Sequence, residues 1–164
     1  MWSAWSKVAA GSPRPGTDGI STDRFARCLD DNLRELAVLL ASGQYRPQPL
    51  LGLEIVRGTK ARHLAIPTVR DRVAQRAFLQ AVGGMLESKA AEASFAYRKG
   101  RSWLDALRAV ERHRDSGLRV VCRGDIRTFF DAIDHGLLRE ALVPALGEDD
   151  AVELALAWPD FRSS

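Results

Sequence analysis

In the segment Arg123-Gly-Asp-Ile-Arg-Thr-Phe-Phe-Asp-Ala-Ile-Asp-His135, Asp125 closes an apolar run and Phe130 follows five residues later. A carboxylate at a strand end presents hard oxygens to Mg²⁺, which takes one or two carboxylates and fills its shell with phosphate oxygens and water. The plainer alternative is an exposed Asp at a strand end beside a core Phe. Asp131, Asp134 and His135 stand where a helix begins, so they read as a cap and dipole-favoured acids rather than a second metal cluster.

A second constellation is Ser94-Phe-Ala-Tyr-Arg-Lys-Gly-Arg-Ser102, with one exposed-type ring, Tyr97, among Arg98, Lys99 and Arg101. An aromatic with several cations in one loop can stack a base and hold phosphates. Arg70, Asp71, Arg72, Gln75 and Arg76 crowd one helical start, where the plainer reading is a solvated face with an Asp71–Arg72 neighbourhood.

The elements that must position these groups follow from spacing and punctuation. Residues 1–10 form a short helix carrying Trp2 and Trp5, and Gly11–Gly19 is too rich in Gly and Pro to continue it. Ser21 or Thr22 caps one helix with Phe25, Leu29, Leu33, Leu36 and Leu40 on a face, ended by Gly43. Tyr45–Pro49 is an extended connector. Leu50–Val56 and Arg62–Ile66 form an antiparallel hairpin about the turn Arg57–Ala61. A long helix runs from Val69 to about Glu92, with a bend or break expected at Gly83-Gly84, each about 1 kcal/mol worse than alanine. Ser102 caps a helix to about Arg114, Leu118–Asp125 reads as a strand, and residues 136–146 and 148–158 read as two helices. The order predicts an α+β fold, and a single strand at 118–125 implies further strands to complete its sheet.

With 164 residues, 46% of them hydrophobic, the chain can bury an ordinary core. Its 24 Lys and Arg against 21 Asp and Glu leave +3, so nucleic-acid contact must come from local basic clusters. Lys occurs only at 7, 60, 89 and 99, which makes the cationic surface one of guanidiniums suited to bidentate phosphate contact; a GC-rich coding bias explains the same count. Cys28 and Cys122 lack metal-ligand spacing and read as reduced core residues of a cytosolic protein. Neither a membrane span nor a secretory leader is indicated.

The Asp125 segment resembles the first metal-binding motif of reverse transcriptases, and most closely that of the group II intron branch and its CRISPR-associated relatives. Three more stretches resemble the same family. Arg62-His-Leu-Ala-Ile-Pro-Thr-Val-Arg-Asp-Arg-Val-Ala-Gln75 is similar to its fingers signature Arg-Pro-Leu-x-Ile-Pro-Thr-Val-x-Asp-Arg-Val-Val-Gln. Ser94–Ser102 is similar to Ser-x-Gly-Tyr-Arg-Pro-Gly-Arg-Ser, with Ala96 and Lys99 replacing Gly and Pro. Pro13–Ser21 is similar to the loop Gly-x-x-Gly-x-Asp-Gly-x-Ser ahead of the fingers. The four occur in family order across residues 11 to about 140.

The resemblance implies a partial right-hand polymerase of α+β class: an N-terminal extension over 1–20, fingers over 21–115, and the start of the palm over 116–164. It implies that Asp125 and the Ile126 carbonyl hold Mg²⁺, two ions in the complete family enzyme, and that Phe130 stands under the incoming sugar. Arg62 would meet the nucleotide triphosphate. The family's lysine falls at Val56 here, so Arg57 and Lys60 are the candidates for its place. Arg70, Arg72, Gln75, Tyr97, Arg98 and Arg101 would lie along the template. RNA template, DNA primer and dNTP are the implied partners, with intron RNA or CRISPR adaptation proteins as host-specific additions, in a prokaryotic cytoplasm.

The family's Tyr-x-Asp-Asp and Pro-Gln-Gly motifs do not occur in these 164 residues. The expectation is therefore a truncated RNA-directed DNA polymerase, inactive alone. The alternatives are a non-catalytic RNA-binding remnant and one half of a split polymerase.

Overall fold

Val69, Val73, Ala74 and Val82 place apolar side chains along one helix long enough to serve two cores. The computed structural model describes residues 1–58, 60–126, 129, 132–147 and 150–158, without the side chains of Arg57, Lys60, Arg62 and His63. Its elements are α1 (Trp2–Ala9), α2 (Thr22–Ala26), α3 (Leu29–Ala41), β1 (Leu51–Arg57), β2 (Lys60–Ile66), α4 (Val69–Lys89), α5 (Trp103–Asp115), α6 (His135–Leu146) and α7 (Asp150–Ala157). The α+β class holds in its coarse form: helices with a small two-stranded sheet.

The first core gathers Ala4, Trp5 and Val8 of α1, Phe25 of α2, Leu33 and Leu36 of α3, Tyr45, and Val69, Val73 and Ala74 of α4. Trp5 stacks on Phe25 with ring centroids 5.3 Å apart. The second core joins Val82 of α4 to Leu146 of α6 and to Val152 and Leu156 of α7. Each fully buried aliphatic side chain contributes about 1.5–3 kcal/mol. That explains why α4 continues unbroken through Gly83-Gly84 to Lys89, at the pair where a bend or break was expected. Val82 is buried on one side of the pair and Leu86 is packed on the other, and this outweighs about 1 kcal/mol per glycine.

The single helix expected from the Ser21 or Thr22 cap to Gly43 is divided. Ser21 caps α2, accepting from the Arg24 amide at 3.3 Å, but Cys28 adopts φ −124°, ψ 44° and starts α3 afresh. Asn32 donates to the Phe25 carbonyl at 2.8 Å, satisfying an acceptor the break releases. Cys28 and Cys122 are both exposed, which corrects their assignment to the core. The strand expected over Leu118–Asp125 is also corrected. The described residues there form no regular element and are exposed throughout, because no second strand pairs with them. α5 buries none of its residues; a reciprocal Ser102–Asp105 capping box starts it, and Trp103, Leu107 and Val110 lie exposed along it. Asp134 caps α6, accepting from the Leu137 amide at 3.0 Å, as its position suggested.

The loop before α2 is fastened to the connector before β1 and to the start of α4. Thr17 donates its hydroxyl to the Pro49 carbonyl at 2.8 Å, and Gly16 lies backbone against backbone with Pro67 and Thr68. A Cβ at Gly16 would sit 2.6 Å from the Thr68 nitrogen and 2.7 Å from its Cα. Gly16→Ala is therefore expected to cost about 1–3 kcal/mol, because backbone on both sides must yield. A urea midpoint within error of the parent would contradict this close approach.

Candidate nucleic-acid interface

At the N-terminal end of α4, Asp71 is 1% exposed and is held from three directions. Its carboxylate accepts from the Tyr45 hydroxyl at 2.6 Å, the Thr68 hydroxyl at 2.7 Å and the Gln48 amide at 3.0 Å. Its own amide donates to Thr68 Oγ1 at 3.1 Å, which makes Thr68 the helix cap. Burial and the bond to Asp71 push the Tyr45 hydroxyl well above its ordinary range, so it stays a donor. Asp71 is thus an internal clasp, not part of a solvated face.

The four neighbours of Asp71 point to different places. Arg70 lies over the Tyr45 ring, 5.6 Å from its centroid, and lines a cleft with Asp18, Arg24 and Glu35. Arg72 donates to the carbonyls of Ser12, at 2.7 Å, and Arg14. Burial lowers the Arg72 pKa from its ordinary value, with Asp18 acting against the shift. Gln75 and Arg76 line a second cleft with Lys7 of α1.

The loop after α4 separates its ring from its cations. Tyr97 is the non-glycine residue with positive φ, 58°, among the described residues, and its side chain is fully exposed. Arg98 holds that turn: it donates to Glu87 through Nε at 2.8 Å and Nη2 at 2.6 Å, and to the carbonyls of Ala91 and Ser94. The guanidinium keeps the Glu87 carboxyl below its usual range. Arg101 lies over the Phe95 ring at 5.3 Å and donates to the Glu92 carbonyl. Two of the three expected phosphate contacts therefore brace the loop, and Tyr97 is left presented to solvent. A helix of 21 residues spans about 30 Å, so this loop and the Arg70–Gln75 cluster stand at opposite ends of α4.

In the hairpin, Arg57 pairs with Lys60 and Ile55 with Arg62. Strand alternation then places positions 57, 60 and 62 on one face of the ribbon. Their side chains lie outside the described part, as does Phe130. Asp125 and Ile126 are exposed on the unpaired segment after α5. Among the described residues no cluster of three or more His, Cys, Asp or Glu could hold a metal ion. Asp125 and the adjacent Ile126 carbonyl are nonetheless oxygen donors of the type Mg²⁺ takes, with phosphate and water completing its shell.

No family model matches the chain. It is 31% identical over 121 residues to the group II intron-encoded protein LtrA of Lactococcus lactis subsp. cremoris, a match covering 73% of this chain and 20% of LtrA. The chain is related to a group II intron-encoded protein. It is also 34% identical over 158 residues to protein YkfC of Escherichia coli (strain K12), covering 93% of this chain and 41% of YkfC. The chain thus spans less than half the length of these curated relatives. No described helix is long and apolar enough to cross a membrane.

The clasp at Asp71 was not expected from the sequence. For Asp71 the signal was the nearby Tyr45 and Thr68, whose hydroxyls could satisfy a buried carboxylate.

Proposed function

We propose that these residues are the fingers (21–115) and the start of the palm (116–164), with an N-terminal extension (1–20), of an RNA-directed DNA polymerase of the group II intron type. The similarity to LtrA over 121 residues carries the reading. The hairpin register supports it, since positions 57, 60 and 62 share a face from which cations could meet a triphosphate. In this reading Asp125 and Ile126 hold Mg²⁺, which neutralises charge on the transferring phosphoryl group. Phe130 lies beneath the sugar, and Tyr97 and Arg70 face the template. Arg72, Arg98 and Arg101 act indirectly, by shaping the surfaces around it. The partners are RNA template, DNA primer and dNTP, in a prokaryotic cytoplasm. Intron mobility, CRISPR adaptation and other retroelement roles share this chemistry.

One observation favours a second reading. Asp125 sits on an exposed, unpaired segment, while the fingers elements carry the first core. An RNA-binding module, or one half of a split polymerase, would need only the latter to be well formed. The test is primer extension on an RNA template, with dNTPs and Mg²⁺, by the natural polypeptide that contains residues 1–164. Extension that stops on chelation of Mg²⁺ supports the polymerase; salt-sensitive RNA binding with no extension supports the module. Extension restored by a second polypeptide supports the split enzyme.

A further inference from the structure

A cleft lies between α1, the loop that follows it, and α4. It encloses about 410 Å³ and is lined by Lys7, Val8, Gly11, Ser12, Arg72, Gln75, Arg76 and Leu79. Three of these side chains are cationic and none is a carboxylate, in a chain whose net charge is only +3. Like charges lining one cleft repel one another and gain from an anion that neutralises them together.

The cations are not equivalent. Arg72 spends its terminal nitrogens on the carbonyls of Ser12 and Arg14, which fixes the loop forming one wall. Its Nε is shielded and has no hydrogen-bond partner. The carboxylate that acts on it, Asp18, lines a different cleft. Lys7 and Arg76 are exposed, one on each facing helix, and no described ion pair engages either. Gln75 adds an amide, and buried Val8 and half-exposed Leu79 line the cleft with apolar atoms.

We infer that this cleft binds the phosphodiester backbone of a single-stranded nucleic acid, with Lys7 and Arg76 as the phosphate contacts and Arg72 as the residue that holds the wall. The inference rests on the nucleic-acid reading above and adds a site to it. A backbone suits the cleft better than one compact anion, because the two free cations belong to different helices and can meet successive phosphates. Contacts of this kind fix position and carry no sequence preference.

The test uses the 164-residue chain and a fluorescein-labelled uridine 20-mer, followed by anisotropy across a salt series. Each neutralised phosphate contributes about 0.7 to the slope of log affinity against log salt for single strands. Lys7→Ala and Arg76→Ala are each expected to lower the slope by about that amount, and the double variant by about twice as much. Lys7→Arg and Arg76→Lys should retain the parent slope, and Arg108→Ala on α5 should not change it. Melting curves will check that the exposed substitutions leave the fold intact. A double variant that keeps the parent slope overturns the cleft while leaving the polymerase reading standing. Absence of primer extension by the parent polypeptide, with the slope changes seen, overturns the polymerase reading and leaves the cleft standing. Equal displacement of the RNA by polyglutamate of matched charge would reassign the cleft to acidic peptides and overturn the proposal.

Discussion

Asp71→Ala is expected to lower unfolding free energy by about 3–5 kcal/mol, a large share of what holds a domain of this size together. The substitution leaves three donors without an acceptor: the Tyr45 and Thr68 hydroxyls, which are buried, and the Gln48 amide, which is partly so. Each stranded group costs about 1–3 kcal/mol when water cannot replace the partner. Denaturant titration with the slope held constant measures the change, and a loss under about 1 kcal/mol would show that water rescues the site. The clasp also has a pH signature. The Tyr45 pKa is raised from an ordinary 10.0, so the native state keeps a proton the unfolded chain releases. The resulting stability is complete below pH 10 and declines as pH rises above it. Tyr45→Phe should flatten that alkaline decline, at the cost of one hydrogen bond.

The second large effect concerns chemistry. In the primer-extension assay, Asp125→Ala should reduce the rate by about a thousandfold or more, near 4 kcal/mol of transition-state stabilisation. Because Asp125 is exposed and outside both cores, the variant should unfold within about 0.5 kcal/mol of the parent. Asp115→Ala, at the exposed end of α5, is the control and should extend normally. Retained extension by the Asp125 variant would remove the metal role from this residue.

Much of the helical architecture was legible. α1, α5, α6 and α7 start and stop near the expected caps, and the hairpin forms with a tighter tip, since Arg57 pairs directly with Lys60. What failed did so for identifiable reasons. The period through Phe25, Leu29 and Leu33 is continuous, so nothing local announced that Asn32 would turn back to the Phe25 carbonyl and divide the helix. Leu118–Asp125 has strand composition, but strand propensity means little without a partner. For the site, residue type reported charge but not occupancy. Arg72, Arg98 and Tyr97 looked alike as candidates, yet the first two are spent on neighbouring carbonyls and Glu87, and the ring alone is free.

The hairpin has one mechanical consequence. None of its described side chains is buried, and its base emerges between Pro49 and Pro67, beside the bonds that Asp71 makes to Gln48 and Thr68. It is therefore a cantilever clamped at one end, with seven residues per strand giving an arm of about 20 Å. On such an arm a tilt of about 10° at the clamp displaces the tip by roughly 3–4 Å, comparable to the rise of one strand residue. The aim of positions 57 and 60 is thus set far from them, by a carboxylate that never meets solvent.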